Sequence, residues 1–232
     1  MSEMSDLKPL LKPLKGNFGG IKSLEDFVIC KDNAGKLSLR FSIAIANVGK
    51  EDLEIVIGEP EQIDGKTRAP GKQIIKQENG ETREIDIGYF DQHVEEDGSG
   101  HSHVHWQYKG LATMVLVDEN EQEVARSKKP GYCVIDSFPY PNFPIVRPMQ
   151  FRHGGCEGTI PKIGITLGWC DYYKFDTDRQ YIEIENVPPG KYRIDFIINK
   201  TDMIYDIDEP ASIEVTIKEE DIMTATNCDD VI

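Results

Sequence analysis

No run in this chain of 232 residues approaches the roughly 20 consecutive apolar residues that a helical membrane span needs. The opening text, "MSEMSDLKPLLKPLKGNFGG", likewise lacks the continuous apolar core of a secretory leader. Positive charge is scarce: 26 Lys and Arg stand against 41 Asp and Glu, a formal net charge of -15. A chain this acidic repels polyanions, which argues against nucleic acid and anionic membrane surfaces as partners and in favour of cations. Cysteine is sparse too. Cys30, Cys133, Cys156, Cys170 and Cys228 are odd in number and scattered, without the Cys-x-x-Cys pair of a zinc ribbon or redox dithiol. They read as reduced thiols, and together with the missing leader they predict a cytoplasmic protein. Heptads and long amphipathic helices are absent as well, which excludes a helical bundle.

What is present is period-two alternation. In "LSLRFSIAI" from Leu37, residues Leu37, Leu39, Phe41, Ile43 and Ile45 share one face, and Ser38, Arg40 and Ser42 the other, the pattern of a half-buried strand. A turn at "NVG" leads to a second run, "LEIVIG", which pairs with the first or lies in a facing sheet. A polar stretch follows from 58 to 82. Further strands read at 85 to 90, in "HVHWQYKGLATMVLVD", "YIEIEN", "KYRIDFIIN" and "SIEVTIK", and "EEDIMTAT" suits a short helix. The fold class predicted is all-β, an antiparallel two-sheet β-sandwich with long loops and little helix. Residues 1–36 form an N-terminal segment packed on or leading into the domain, 37–218 the β domain and 219–232 a tail. Five prolines between 136 and 163 predict a long ordered loop there.

The stretch "GSGHSHVHW" places His101, His103 and His105 at alternate positions. On an extended strand such residues project from one face, and a bend at Gly98 and Gly100 lets three imidazoles converge on one ion, with Trp106 as an apolar wall. Neutral imidazoles suit copper or zinc. A cupin-like iron or zinc site would want a carboxylate soon after a His-x-His pair, and the text offers none before Asp118. An all-histidine triad favours copper.

Beyond the triad, "LRFSIAIANVG", "HSHVHW" followed by "MVLVD", "EVARSKKPGYCVIDS", and "GITLGWCDYYKFDTDRQYIEIENVPPGKY" together resemble the lysyl oxidase family over most of residues 37 to 218, in family order. The resemblance implies a copper amine oxidase. Its copper ligands fall on His101, His103 and His105, and its self-derived cofactor, lysine tyrosylquinone, is built from Lys129 and Tyr173. It implies a primary-amine substrate, a lysine side chain or small cationic amine, converted to an aldehyde with release of ammonia and hydrogen peroxide. Lysine attacks a quinone only as the free amine. With an ordinary pKa of about 10.4 it needs desolvation or nearby positive charge, which Lys128 or a copper ion would supply.

The chain departs from the family's animal members at several positions. Ala112 stands where they have a further histidine proposed as base, leaving Asp171 or His153 to serve if the fold brings them in. Lys128 replaces a histidine neighbour of the cofactor lysine. Cys170, near Tyr173 in sequence, is a stray thiol that could compete for copper. Asp206 and Asp208 are kept, but Ala211 and Ser212 replace oxygen ligands of a calcium site, which argues against calcium. The alternative to an oxidase is a copper- or zinc-binding β-sandwich protein without a catalytic quinone.

Overall fold

The computed structural model describes residues 6–11, 27–76, 79–96, 102–129, 131–141, 143–152, 156, 162–175, 177, 179–199, 203, 206–207 and 210–230. His101, His153 and Asp208 lie outside them, and of His103 and Asp206 only the backbone is described. In chain order the strands begin with β1 (Asp6–Leu11), β2 (Val28–Lys31), β3 (Leu37–Arg40), β4 (Ile43–Asn47), β5 (Leu53–Ile57) and β6 (Glu61–Ile63). There follow β7 (Lys66–Lys76), β8 (Thr82–Glu96), β9 (Ser102–Tyr108), β10 (Ala112–Val117), β11 (Glu123–Arg126) and β12 (Phe138–Pro139). The last are β13 (Lys162–Ile165), β14 (Trp169–Tyr173), β15 (Tyr181–Glu183), β16 (Gly190–Ile198), β17 (Asp206–Ile207) and β18 (Ala211–Ile217), before the short helix α1 (Glu219–Thr224).

Pairing is antiparallel throughout these ladders except between β1 and β17. The expectation of two sheets gives way to four among the described residues. They run β12-β14-β4-β1-β17, β11-β10-β16-β18, β13-β5-β7-β8-β9 with β6 beside β7, and β15-β3-β2. The run "LSLRFSIAI" shows why. It breaks at Phe41 and Ser42, so β3 and β4 join different sheets. Ser42 anchors the break, its hydroxyl accepting from the Phe175 amide at 3.1 Å and from the Tyr172 hydroxyl at 3.2 Å. Nor is β4 half-buried. Ile43 and Ile45 enter the main core, while Ala44 and Ala46 enter a second cluster with Phe138 and Cys170. Small alanines let another layer close over the face that alternation assigns to water.

The run "LEIVIG" pairs with β7 and β13, in a different sheet from β4. Most of the polar stretch after it is also strand. Pro70 and Gly71 mark a register irregularity in β7, where a Cβ on Gly71 would stand 2.5 Å from the Phe90 ring. Elsewhere alternation is obeyed: Tyr192, Ile194, Phe196 and Ile198 of β16 are all buried.

The cysteines correct the expectation of reduced thiols. Cys30 is bonded to Cys228 (Cα–Cα 4.9 Å) and Cys133 to Cys156 (6.2 Å), leaving Cys170 as the free cysteine. Spacing conceals such pairs, because the partners meet only once β2 and the tail pack side by side through the bridge from Lys31 to Asn227. No helix of the described residues is long and apolar enough to cross a membrane.

Candidate functional site

Strand β14 sorts its side chains by parity. Trp169 and Tyr173 pack against the main core, while Cys170 and Tyr172 belong to the second cluster. Cys170 therefore faces away from Tyr173, and burial pushes its thiol up, away from the thiolate that binds metal; competition for copper finds no support in this placement. Asp171 shares the Tyr173 side and is 1% exposed. Tyr173 donates from its hydroxyl to the carbonyl of Cys133 at 2.8 Å. Burial first, then the neighbouring Asp171 charge, hold that hydroxyl well above its ordinary pKa.

Asp171 is itself held well above the ordinary carboxylate range by burial, opposed by the Tyr173 hydroxyl, the Lys129 charge and a bond from the Ile135 amide. Its Oδ2 has no hydrogen-bond partner among the described residues.

Lys129 comes to this place from the other side. Its Nζ stands 4.8 Å from the ring centroid of Tyr173 and 5.4 Å from that of Tyr132. The two rings meet edge to face, 5.1 Å apart at 85°. Lys129 and Tyr173, distant in sequence, thus lie side by side. Lys128 does not join them: its ammonium reaches Glu183 at 2.7 Å on the exposed surface, because successive side chains of extended backbone point opposite ways. Its expected help in freeing the Lys129 amine is thereby corrected.

The segment carrying Lys129 is fastened to the histidine strand. Tyr108 of β9 and Tyr132 exchange both backbone hydrogen bonds, at 2.9 and 3.0 Å. Gly131 makes this approach possible, since a Cβ there would lie 2.9 Å from the Tyr108 carbonyl oxygen and 3.0 Å from Gln107 Cβ. His105 lies three residues before Tyr108, about 10 Å along a strand.

Its Nε2 is 2.9 Å from Gln107 Nε2. His93, which the alternation did not single out, stands opposite His105 in the β8–β9 register with ring centroids 5.1 Å apart. Glu95 is likewise opposite His103 in the register. Among the described residues no three His, Cys, Asp or Glu side chains converge. Trp106 is buried in the main core behind the histidine face, and Ala112 is a buried methyl on β10.

The Lysyl oxidase family model matches residues 87–228 of the chain, a span that holds β9, Lys129 and β14. Among curated proteins the chain is similar to the lysyl oxidase homolog 2 of Mus musculus, 32% identical over 93 residues, and to that of Homo sapiens, 31% identical over 93 residues. Each match covers 36% of this chain and 10% of the relative. The chain therefore spans about a tenth of the length of the curated relatives it matches.

Proposed function

Because the chain belongs to the lysyl oxidase family, whose model covers more than half of it, we propose that it is a copper-dependent amine oxidase. It converts primary amines, lysine-like or otherwise cationic, to aldehydes with release of ammonia and hydrogen peroxide. The observation that carries this reading is the Lys129 nitrogen 4.8 Å from the Tyr173 ring centroid. Proximity of this kind turns a bimolecular attack into an intramolecular one.

His101, His103 and His105 would hold copper. The fit rests on imidazole as a copper ligand and on the alternate spacing of His103 and His105 along β9. Lysine tyrosylquinone, made from Lys129 and Tyr173 with dioxygen as oxidant, supplies the electrophilic carbonyl with which a primary amine condenses. The chain's own residues set the geometry. Tyr132 abuts the Tyr173 ring edge-on, the Cys133 carbonyl holds the hydroxyl proton, and Lys129 waits over the ring. The acidic surface gathers cationic amines.

The two disulfides favour an oxidising compartment, which takes the place of the expected cytoplasm. Peptide mass mapping after loading with Cu(II) in air is the test, with a Lys129–Tyr173 crosslink as the expected result. Copper bound with the two peptides separate would leave the metal-binding alternative, and neither would overturn both.

A further inference from the structure

One titratable group at the site is not consumed by the crosslink. Asp171 lies two residues before Tyr173 on the same face of β14, closed off from water, with Oδ2 unpartnered among the described residues. Lys129 supplies the positive charge that opposes it. Once the Lys129 nitrogen joins the ring it is a neutral, ring-conjugated amine, so crosslinking strips Asp171 of that counter-charge. Without that charge the buried carboxyl moves further toward its neutral acid, and a primary alkylammonium is the group whose charge restores the ionised form.

We propose that Asp171 is the catalytic base of the oxidase and the seat of the substrate's ammonium group. This rests on the oxidase reading. In the first step an N–H bond of the ammonium breaks, an O–H bond forms on Asp171, and the freed lone pair attacks the ring carbonyl. Asp171 then returns that proton to the departing ring oxygen, which leaves as water, and the carboxylate is free for the next step. In the second step Asp171 takes the proton of the substrate Cα–H bond, whose electron pair passes into the ring. The substrate carbon is thereby oxidised to the aldehyde level and the ring reduced by two electrons; one water releases the aldehyde, dioxygen takes the two electrons with two protons as hydrogen peroxide, and a second water releases the nitrogen as ammonia. The other titratable groups that act on Asp171 are Tyr132, Tyr173 and Asp136, besides Lys129, while the Cys170 thiol lies on the opposite face of β14. Of these, Tyr132 is pushed up by burial and by Asp171 and keeps its proton, Tyr173 is spent in the ring cofactor, and Asp136 is held by four donors of its own.

The test uses the full chain, wild type, D171N and D171E, loaded with Cu(II) in air. Phenylhydrazine condenses with a quinone carbonyl without any Cα proton being removed, so it reports the cofactor independently of turnover. Both wild type and D171N are expected to give its visible band. Turnover of n-butylamine by D171N falls by about 10²–10⁴-fold, and D171E recovers part of it. The wild-type kcat rises with pH through a limb above the ordinary carboxylate range, because the base must be unprotonated and burial delays that. The tert-butylammonium ion, which has no Cα hydrogen, slows phenylhydrazine labelling of wild type but not of D171N.

Undiminished turnover by a labelled D171N overturns the role of Asp171 and leaves the oxidase standing. Absence of the band from wild type overturns both. If D171N fails to form the labelled ring, a wild type with no such pH limb, or without tert-butylammonium protection, overturns the proposal.

Discussion

Four donors converge on one buried carboxyl, that of Asp136. The Thr166 amide reaches Oδ1 at 2.7 Å, while the Thr166 hydroxyl and the amides of Gln150 and Phe151 reach Oδ2 at 2.5, 3.0 and 3.0 Å. This one side chain pins the proline-rich loop to the turn before β14. In D136N an NH2 group must face some of these donors, leaving buried N–H groups unsatisfied. The expected loss of stability is about 2–4 kcal/mol, read by urea unfolding. At this scale the sequence was most legible where residue type carries chemistry: Lys129 and Tyr173 could be singled out by the text around them, and they lie together. Asp171 could be named but not weighed, because burial and an orphaned oxygen are properties of the packed molecule. His93 escaped notice because its meaning lies in its partner across the hairpin.

Between elements, the contact that matters is the seam joining β9 to the segment before Cys133, and Gly131 holds it closed. Gly131→Ala forces β9 or the Lys129 segment to retreat, at a cost of about 1–3 kcal/mol. The variant is expected to bind Cu(II) with unchanged stoichiometry while crosslinking more slowly, as followed by metal analysis and peptide mapping. Wild-type crosslinking kinetics in Gly131→Ala would show that the seam does not position Lys129. Strands with clean alternation, such as β16 and β18, were readable from their pattern. β7 was not, because lysines, Pro70 and Gly71 disguise a strand that accommodates them at an irregular register. The division of "LSLRFSIAI" between two sheets was equally hidden, since alanines read as a polar-side filler until another layer covers them.

For the whole molecule, the bond between Cys30 and Cys228 closes nearly the entire chain into a ring, spanning 198 residues of sequence. Loop closure on that scale restrains the unfolded chain strongly. Replacing both cysteines with serine is expected to cost about 2–5 kcal/mol and to lower Tm by roughly 5–15 °C, measured by calorimetry without reductant. An unchanged Tm would mean that the ends are held by packing alone. An odd count of scattered cysteines argued for free thiols, and nothing local could say otherwise, because pairing depends on which distant strands become neighbours. The second bond reaches further into function. Cys133 offers its carbonyl to Tyr173 and its sulfur to Cys156, so the phenol's cradle and the long loop hang from one peg. Reductants that open that peg would free the loop at Cys156 from the stretch of backbone that holds the phenol.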